Sequence, residues 1–204
     1  MLRLKEHTRQ LHAEAESHPI QRAMAQGRLP LESYVSYLEC LWPVHRALDA
    51  GLAALAETDD RAESILSPEQ YQSAYLRDDL RHFGREKTDA PAVPAVVELL
   101  SDISAARVDR PIALLGFHYV TLGSTNGGRF IAKPLRRAFG LEKAGVSYFD
   151  PWGEDQPRIW GAFKHAMDAA RFSADETDTI LAAAESMFRG ITRISESLRP
   201  VDAC

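Results

Sequence analysis

Apolar positions recur at helical spacing along nearly the whole chain. Tyr34, Tyr37, Leu38, Leu41, His45 and Leu48 mark one face of a long segment that Pro43 is expected to kink. Ile180, Leu181, Ala184, Met187, Phe188, Ile191 and Ile194 mark a second, opened by Ser173 and Glu176 at the spacing of a capping box. Ser67-Pro68-Glu69-Gln70 repeats that signal with proline at the first helical position. The stretch PIALLGFHYVTLG, residues 111–123, is apolar almost all round, which predicts a central buried helix. Further helices are expected over 91–104, starting at Pro91, and through Asp79–Phe83, ending near Gly84. Residues 144–156, with Gly145, Pro151 and Gly153, read as a loop. No segment alternates with the period of a strand. The expected architecture is all-α: one domain over residues 1–204, of about eight helices, with the last few residues a flexible tail.

Composition narrows the class. The 204 residues are enough for one sizeable core, and 45% hydrophobic with 26% charged residues is the balance of a globular protein. A formal net charge of −5 argues against a general nucleic-acid binder. Of the two cysteines, Cys40 lies in an apolar helical pattern and Cys204 is the last residue, so no structural disulfide is expected. The charged N-terminal segment has no apolar core of a signal peptide, and no apolar run approaches the roughly 18 residues of a membrane span. A cytoplasmic location, away from any membrane, is the expectation.

The first candidate chemistry lies in LKEHTRQLHAEAES, which lacks Gly and Pro and reads as one helix. Lys5, Arg9, His12 and Glu16 fall within an arc of about 40 to 60° on it, beside an apolar stripe of Leu4, Thr8, Leu11 and Ala15. Arg9 and Lys5 stand roughly 4.5 and 10 Å along the axis from His12. Two cations spaced from an imidazole suit a ligand with a metal at one point and anions on its rim, as in haem. Glu16, one turn past His12, is placed to accept the second ring N–H. The same stripe is also readable as a solvated face with weak i,i+4 pairs.

The second candidate is LGSTNGGRFIAK, residues 122–133. Gly123, Gly127 and Gly128 interrupt an otherwise helical sequence, each at a cost of roughly 0.5 to 1 kcal/mol relative to alanine. Close approach of backbone to a flat ligand explains them, with Gly123 and Gly127 sharing a face of a kinked helix and Ser124 and Thr125 supplying hydroxyls. A plain turn between two helices explains them as well. A phosphate loop does not fit, since Arg129 follows Gly128 where G-K-S/T is required.

Other groupings are poorer. Asp79-x-x-His82 has the spacing of half a di-iron carboxylate site, with His12, Glu14, Glu16 and His18 as remote recruits, but no six-ligand set emerges. His45, near Trp42, reads as a hydrogen-bonded core histidine, and His118 as either packing or a polar wall of a pocket. Trp42, Trp152 and Trp160 require no role beyond packing.

The segments L-K-E-H-T-R-Q-L-H-A-E-A-E and Y-V-T-L-G-S-T-N-G-G, in that order and separation, resemble the haem oxygenases. The resemblance implies His12 as iron ligand, with Lys5 and Arg9 facing the propionates and Gly123, Gly127 and Gly128 lining the distal side. It also implies Lys164 as a further propionate-binding cation with Arg158 as its companion, and Tyr148 and Phe149 as aromatics near the haem. The implied activity is oxidative opening of haem, both substrate and cofactor, to biliverdin, CO and ferrous iron with O2. No flavin or nicotinamide motif is present, so electrons are expected from a ferredoxin or a reductase. Many members carry Asp directly after the first distal glycine, where this chain has Ser124, which puts the water network for proton delivery in question. The Gly-Ser-Thr form looks like the bacterial branch that supplies biliverdin to phytochromes, and no apolar anchor follows residue 200. A non-catalytic haem carrier or sensor and a di-iron oxidase of the same fold are the alternatives.

Overall fold

Two 26-residue helices, α4 (Leu31–Ala56) and α8 (Leu114–Phe139), and the 24-residue α10 (Ala174–Ser197) frame the molecule. In this computed structural model the described residues are 1–85 and 93–198. The remaining helices are α1 (Leu2–His7), α2 (Arg9–Ser17), α3 (Pro19–Ala25), α5 (Asp60–Ile65), α6 (Ser73–His82), α7 (Pro94–Asp109) and α9 (Gln156–Ala169). Short 3-10 turns occupy Pro68–Gln70, Pro111–Ala113 and Gly153–Asp155. Among the described residues there is no strand, and eight of the ten α-helices have seven residues or more.

The helical periodicity is buried as expected. Leu38, Leu41, Val44, Leu48 and Leu52 recur every three or four residues on α4 and are fully buried, each removal from water contributing roughly 1.5 to 3 kcal/mol. α4 continues as one helix through Pro43. Both predicted capping boxes form, Ser67 with Gln70 and Ser173 with Glu176. The helix expected from Pro91 starts at Pro94, behind an extended Val93 of the kind proline imposes on its predecessor. Pro91, Cys204 and the expected tail lie outside the described residues.

Two expectations are corrected. The first helix divides at Thr8 (φ −93°, ψ 2°), whose hydroxyl bonds back to the Leu4 carbonyl at 2.8 Å. The i to i−4 ladder nevertheless carries across, from Thr8 N–H to Leu4 and from His12 N–H to Thr8, so the polar stripe keeps its line. The glycine-rich segment is not a break. α8 runs without interruption through Gly123, Gly127 and Gly128 and ends at Gly140 in the left-handed region (φ +67°).

α8 lies directly on α10. A Cβ on Gly116 would collide with the Ile180 carbonyl oxygen and the Ala183 methyl, so only glycine permits this approach. The two run in the same sense, because Arg110, just before α8, bonds Thr179 at 2.7 Å while Gly116 meets Ile180 to Ala184. α1 and α2 follow that direction too: Arg3 pairs with Asp178, His7 with Glu185 at 2.6 Å, and His12 meets the Phe188 ring.

Asp79 on α6 is a loop anchor, not half of a metal site. It is fully buried and accepts from the N–H groups of Gly145 (2.9 Å), Ser147 (2.9 Å) and Tyr148 (2.8 Å). Among the described residues no group of three or more His, Cys, Asp or Glu could hold a metal ion.

His45 and His118 are both buried in the core. His45 Nε2 pairs with the Tyr148 hydroxyl at 3.1 Å, and His118 Nε2 with Gln70 Oε1 at 3.1 Å, which settles His118 as a packed, hydrogen-bonded group. Burial pushes both imidazoles down to about 3, with His118 adding repulsion at His45. A depressed folded-state pKa means that the unfolded chain takes up the proton first. This stability is complete above pH about 6.5 and lost as pH falls towards 3. Near pH 5 His118→Gln should therefore unfold with about one proton less uptake than wild type. Its stability should fall with acid about 1.4 kcal/mol per pH unit less steeply, read from urea melts at several pH values. Equal slopes would contradict a neutral buried His118.

Candidate functional site

Thr8, at the junction of α1 and α2, lies beside Tyr119 of α8 and so bridges the N-terminal helices to it. Burial raises the Tyr119 phenol, and the neighbouring Thr8 lowers it. Because α2 and α8 run in the same sense along α10, one further turn from this bridge brings His12 on α2 level with Gly123 on α8. α2 itself packs on α3 and α10. By that register the α2 stripe and the glycine face of α8 stand level along α10 on either side of a slot, and the Phe188 ring of α10 lies 5.8 Å from the His12 ring between centroids.

On the α2 side His12 is exposed. Its Nδ1 lies 3.5 Å from Glu16 Oε2, and Nε2 has no partner among the described residues. Lys5 and Arg9 are exposed and form no ion pair among the described residues. An imidazole oriented by a carboxylate at one nitrogen and open at the other is a metal-ligand arrangement.

On the α8 side the three glycines differ. At Gly127 a Cβ would meet nothing within 4 Å, and the residue is exposed. At Gly123 it would come 3.3 Å from the indole edge of Trp160. At Gly128 it would collide with the Phe149 carbonyl, so this glycine seats the 141–150 loop instead of facing the slot. Ser124 is exposed between them and donates to the Thr121 carbonyl at 2.7 Å, leaving its lone pairs for the open side. Each half suits a flat ligand with a metal at its centre and anions on its rim. α8 offers a glycine face that side chains would fill, and α2 an imidazole nitrogen and two cations without partners among the described residues.

The two cations of α9 are not brought together. Lys164 Nζ sits 5.8 Å over the Trp160 ring, which itself leans on Gly123, so Lys164 shares the slot's side of α9. Arg158 lies about 240° around the helix from Lys164 and pairs with both Glu69 carboxylate oxygens at 3.4 Å. It belongs to the far face.

Sequence reasoning did not find three contributors. Trp160 was taken as packing, although its i,i+4 spacing to Lys164 signals a shared face. The Thr8–Tyr119 bridge and the Tyr148–His45 pair join residues more than 100 positions apart and carry no local signal. Behind α8, Gln72 Nε2 donates to the Thr121 carbonyl at 3.1 Å and Gln156 Nε2 to the Thr125 hydroxyl at 2.6 Å. The Oε1 atoms of both glutamines are buried and meet no donor among the described residues.

Comparison with known proteins gives the family and the fold. The "Heme oxygenase" family model matches residues 1–197. The heme oxygenase of Xanthomonas campestris pv. campestris is 32% identical over 170 residues, covering 82% of this chain and 91% of that protein. Heme oxygenase 1 of Pongo abelii is 25% identical over 145 residues, 70% of this chain; the matched part is 50% of that relative's length. Among solved structures, the heme oxygenase of Leptospira interrogans superposes with a TM-score of 0.88 at 26% identity, covering 97% of this chain and 98% of that one. Heme oxygenase-1 of the cyanobacterium Synechocystis, crystallised in complex with heme, gives 0.87 over 96% of this chain and 90% of that one; at 19% identity it shows the fold alone. A family match over nearly the whole length, on a fold shared end to end, makes this chain a member of the heme oxygenase family.

Proposed function

We propose that the protein acts as a haem oxygenase, opening haem to biliverdin, CO and ferrous iron with O2 and electrons from a separate donor. The observation that carries this reading is an exposed imidazole with Nε2 unpartnered among the described residues, held by the packing of the N-terminal helices on α10 level with a glycine face of α8.

In this reading His12 Nε2 is the iron ligand. Glu16, whose carboxylate lies 3.5 Å from Nδ1, is the acceptor that would orient the ring with Nε2 towards the iron. Lys5, Arg9 and Lys164 meet the propionates, and charge-assisted contacts of that kind set the in-plane rotation of the ring. Gly123 and Gly127 give the backbone of α8 access to the other face, Ser124 offers acceptor lone pairs to water there, and Gly128 admits the loop carrying Phe149. Arg158, engaged by Glu69, has no part in the reading. Bound haem supplies the oxygen-activating iron as well as the carbon that is oxidised; the chain supplies orientation and electrostatics. With no dinucleotide or flavin motif in the sequence, a ferredoxin or a reductase delivers the electrons. Among the described residues no helix is long and apolar enough to cross a membrane.

Hemin added to the protein should give a histidine-ligated spectrum, and reductant in air should convert it to biliverdin. A haem spectrum that persists under reductant would instead fit a carrier. His12→Ala should abolish turnover and change the ferric spectrum, with added imidazole restoring the ligand band. An unchanged spectrum and rate would remove His12 from the role.

The glycines separate by substitution. Gly127→Ala adds a methyl to open space and should stabilise the haem-free protein by roughly 0.5 to 1 kcal/mol through helix propensity, whereas Gly128→Ala should cost about 1 to 3 kcal/mol against the Phe149 backbone. Gly127→Leu should leave the helical circular dichroism intact and block turnover. Full biliverdin formation by Gly127→Leu would contradict a substrate lying on that face.

A further inference from the structure

Tyr148 is held at both ends. Its backbone N–H is one of the three donors gathered by Asp79, and its hydroxyl meets His45 Nε2 at 3.1 Å with the two rings edge to face. The same hydroxyl lies beside the side chain of Ser124, which stands on the open face of α8 between Gly123 and Gly127 and gives its own proton to the Thr121 carbonyl. Packing alone would be served by phenylalanine, since a buried phenol costs free energy unless it is paired. The phenol is thus a polar group of the buried core set beside Ser124. The seam around it is polar: Ser124 and Gln72 share the Thr121 carbonyl, and Gln72 Oε1 is a buried acceptor with no donor among the described residues.

Asp79 explains why this phenol has one position. The 141–150 segment is irregular, so its backbone donors have no ladder to satisfy them. A single carboxylate takes three of them, and the Tyr34 hydroxyl donates to the Gly145 carbonyl at 2.7 Å. We propose that Asp79 is a positioning residue for the chemistry on the open face of α8, fixing the Tyr148 hydroxyl beside Ser124 so that the pair orients water on that side of the substrate. This rests on the haem oxygenase reading.

The test uses Asp79→Asn, Tyr148→Phe and the double variant, with hemin and carbon monoxide as probes. In the haem-free protein Asp79→Asn should speed amide exchange at Gly145, Ser147 and Tyr148 about tenfold, while Tyr148→Phe leaves Gly145 and Ser147 near wild type. In the ferrous carbon monoxide complex, Tyr148→Phe should shift the C–O stretch. Asp79→Asn should shift it in the same direction, and the double variant no further than Tyr148→Phe, because the two act through one group. An unchanged stretch in Tyr148→Phe overturns the proposal. So does an Asp79→Asn protein whose loop amides loosen while its stretch stays at the wild-type value, for that is a purely structural carboxylate. If Asp79→Asn does not fold, Asp79→Glu, which displaces the carboxylate by one methylene, takes its place under the same criteria. Failure of the wild type to bind hemin would overturn the underlying reading, whereas wild-type binding with unshifted variants overturns the positioning role alone.

Discussion

A stretch of helix stripped of side chains on one face is the constraint on which this molecule turns. α8 stays helical through Gly123, Gly127 and Gly128, although three glycines weaken a helix by roughly 2 to 3 kcal/mol relative to alanine. Tertiary contacts on its other faces offset that loss. Gly116 lets the helix lie on α10 at backbone distance, Leu114, Leu115 and Leu122 are fully buried, and Thr125 is bonded by Gln156. Rigidity comes from the buried faces and access from the bare one. The same helix can therefore serve as core and as wall of a site.

The three glycines are not equivalent, and their difference organises what surrounds them. Gly128 is required because the Phe149 backbone crosses there, and the loop that crosses is the one that Asp79 ties down. Gly123 meets an indole, which closes one end of the bare face and carries Lys164 with it. Gly127 meets nothing. Across the slot, α2 is anchored to α10 by contacts made in register with α8, so that His12 is set by two interfaces and not by its own short helix. Packing of α1, α2 and α8 on one common helix is what brings two separate sequence stripes to the same level of the fold.

Most of the fold was legible along the chain because its helices are long, amphipathic and capped. The period of the apolar positions finds α4 and α10, the Ser173–Glu176 box marks the start of α10, and the Ser67–Gln70 box marks a 3-10 turn ahead of α6. The glycine segment was misread as an interruption, since local propensity argues against helix there and only the packing of its other faces overrides it. Thr8 was missed as a break, because a side chain bonding back to its own helix leaves no mark in the apolar pattern. In the candidate site, spacing places Lys5, Arg9, His12 and Glu16 on one stripe, but the same spacing suits a solvated face, and only the resemblance to a family assigns His12 a role. Arg158 was misjudged because a cation's charge does not reveal which face of α9 it occupies, and Glu69 claims it from a distant turn. Asp79 looked like a ligand by type and spacing; its burial and its three amide donors make it a loop anchor, which depends on chain crossings that no local pattern records.

The central claim is that one slot, between the free nitrogen of His12 and the bare face of α8, receives the haem ring edge-in with its iron on His12. A crystal structure of the protein with hemin tests it most directly. The account predicts iron bonded to His12 Nε2, the ring lying on the backbone of Gly123 and Gly127, and the propionates at Lys5, Arg9 and Lys164. Hemin held by another histidine, or seated anywhere other than against the Gly123–Gly127 face, would contradict it.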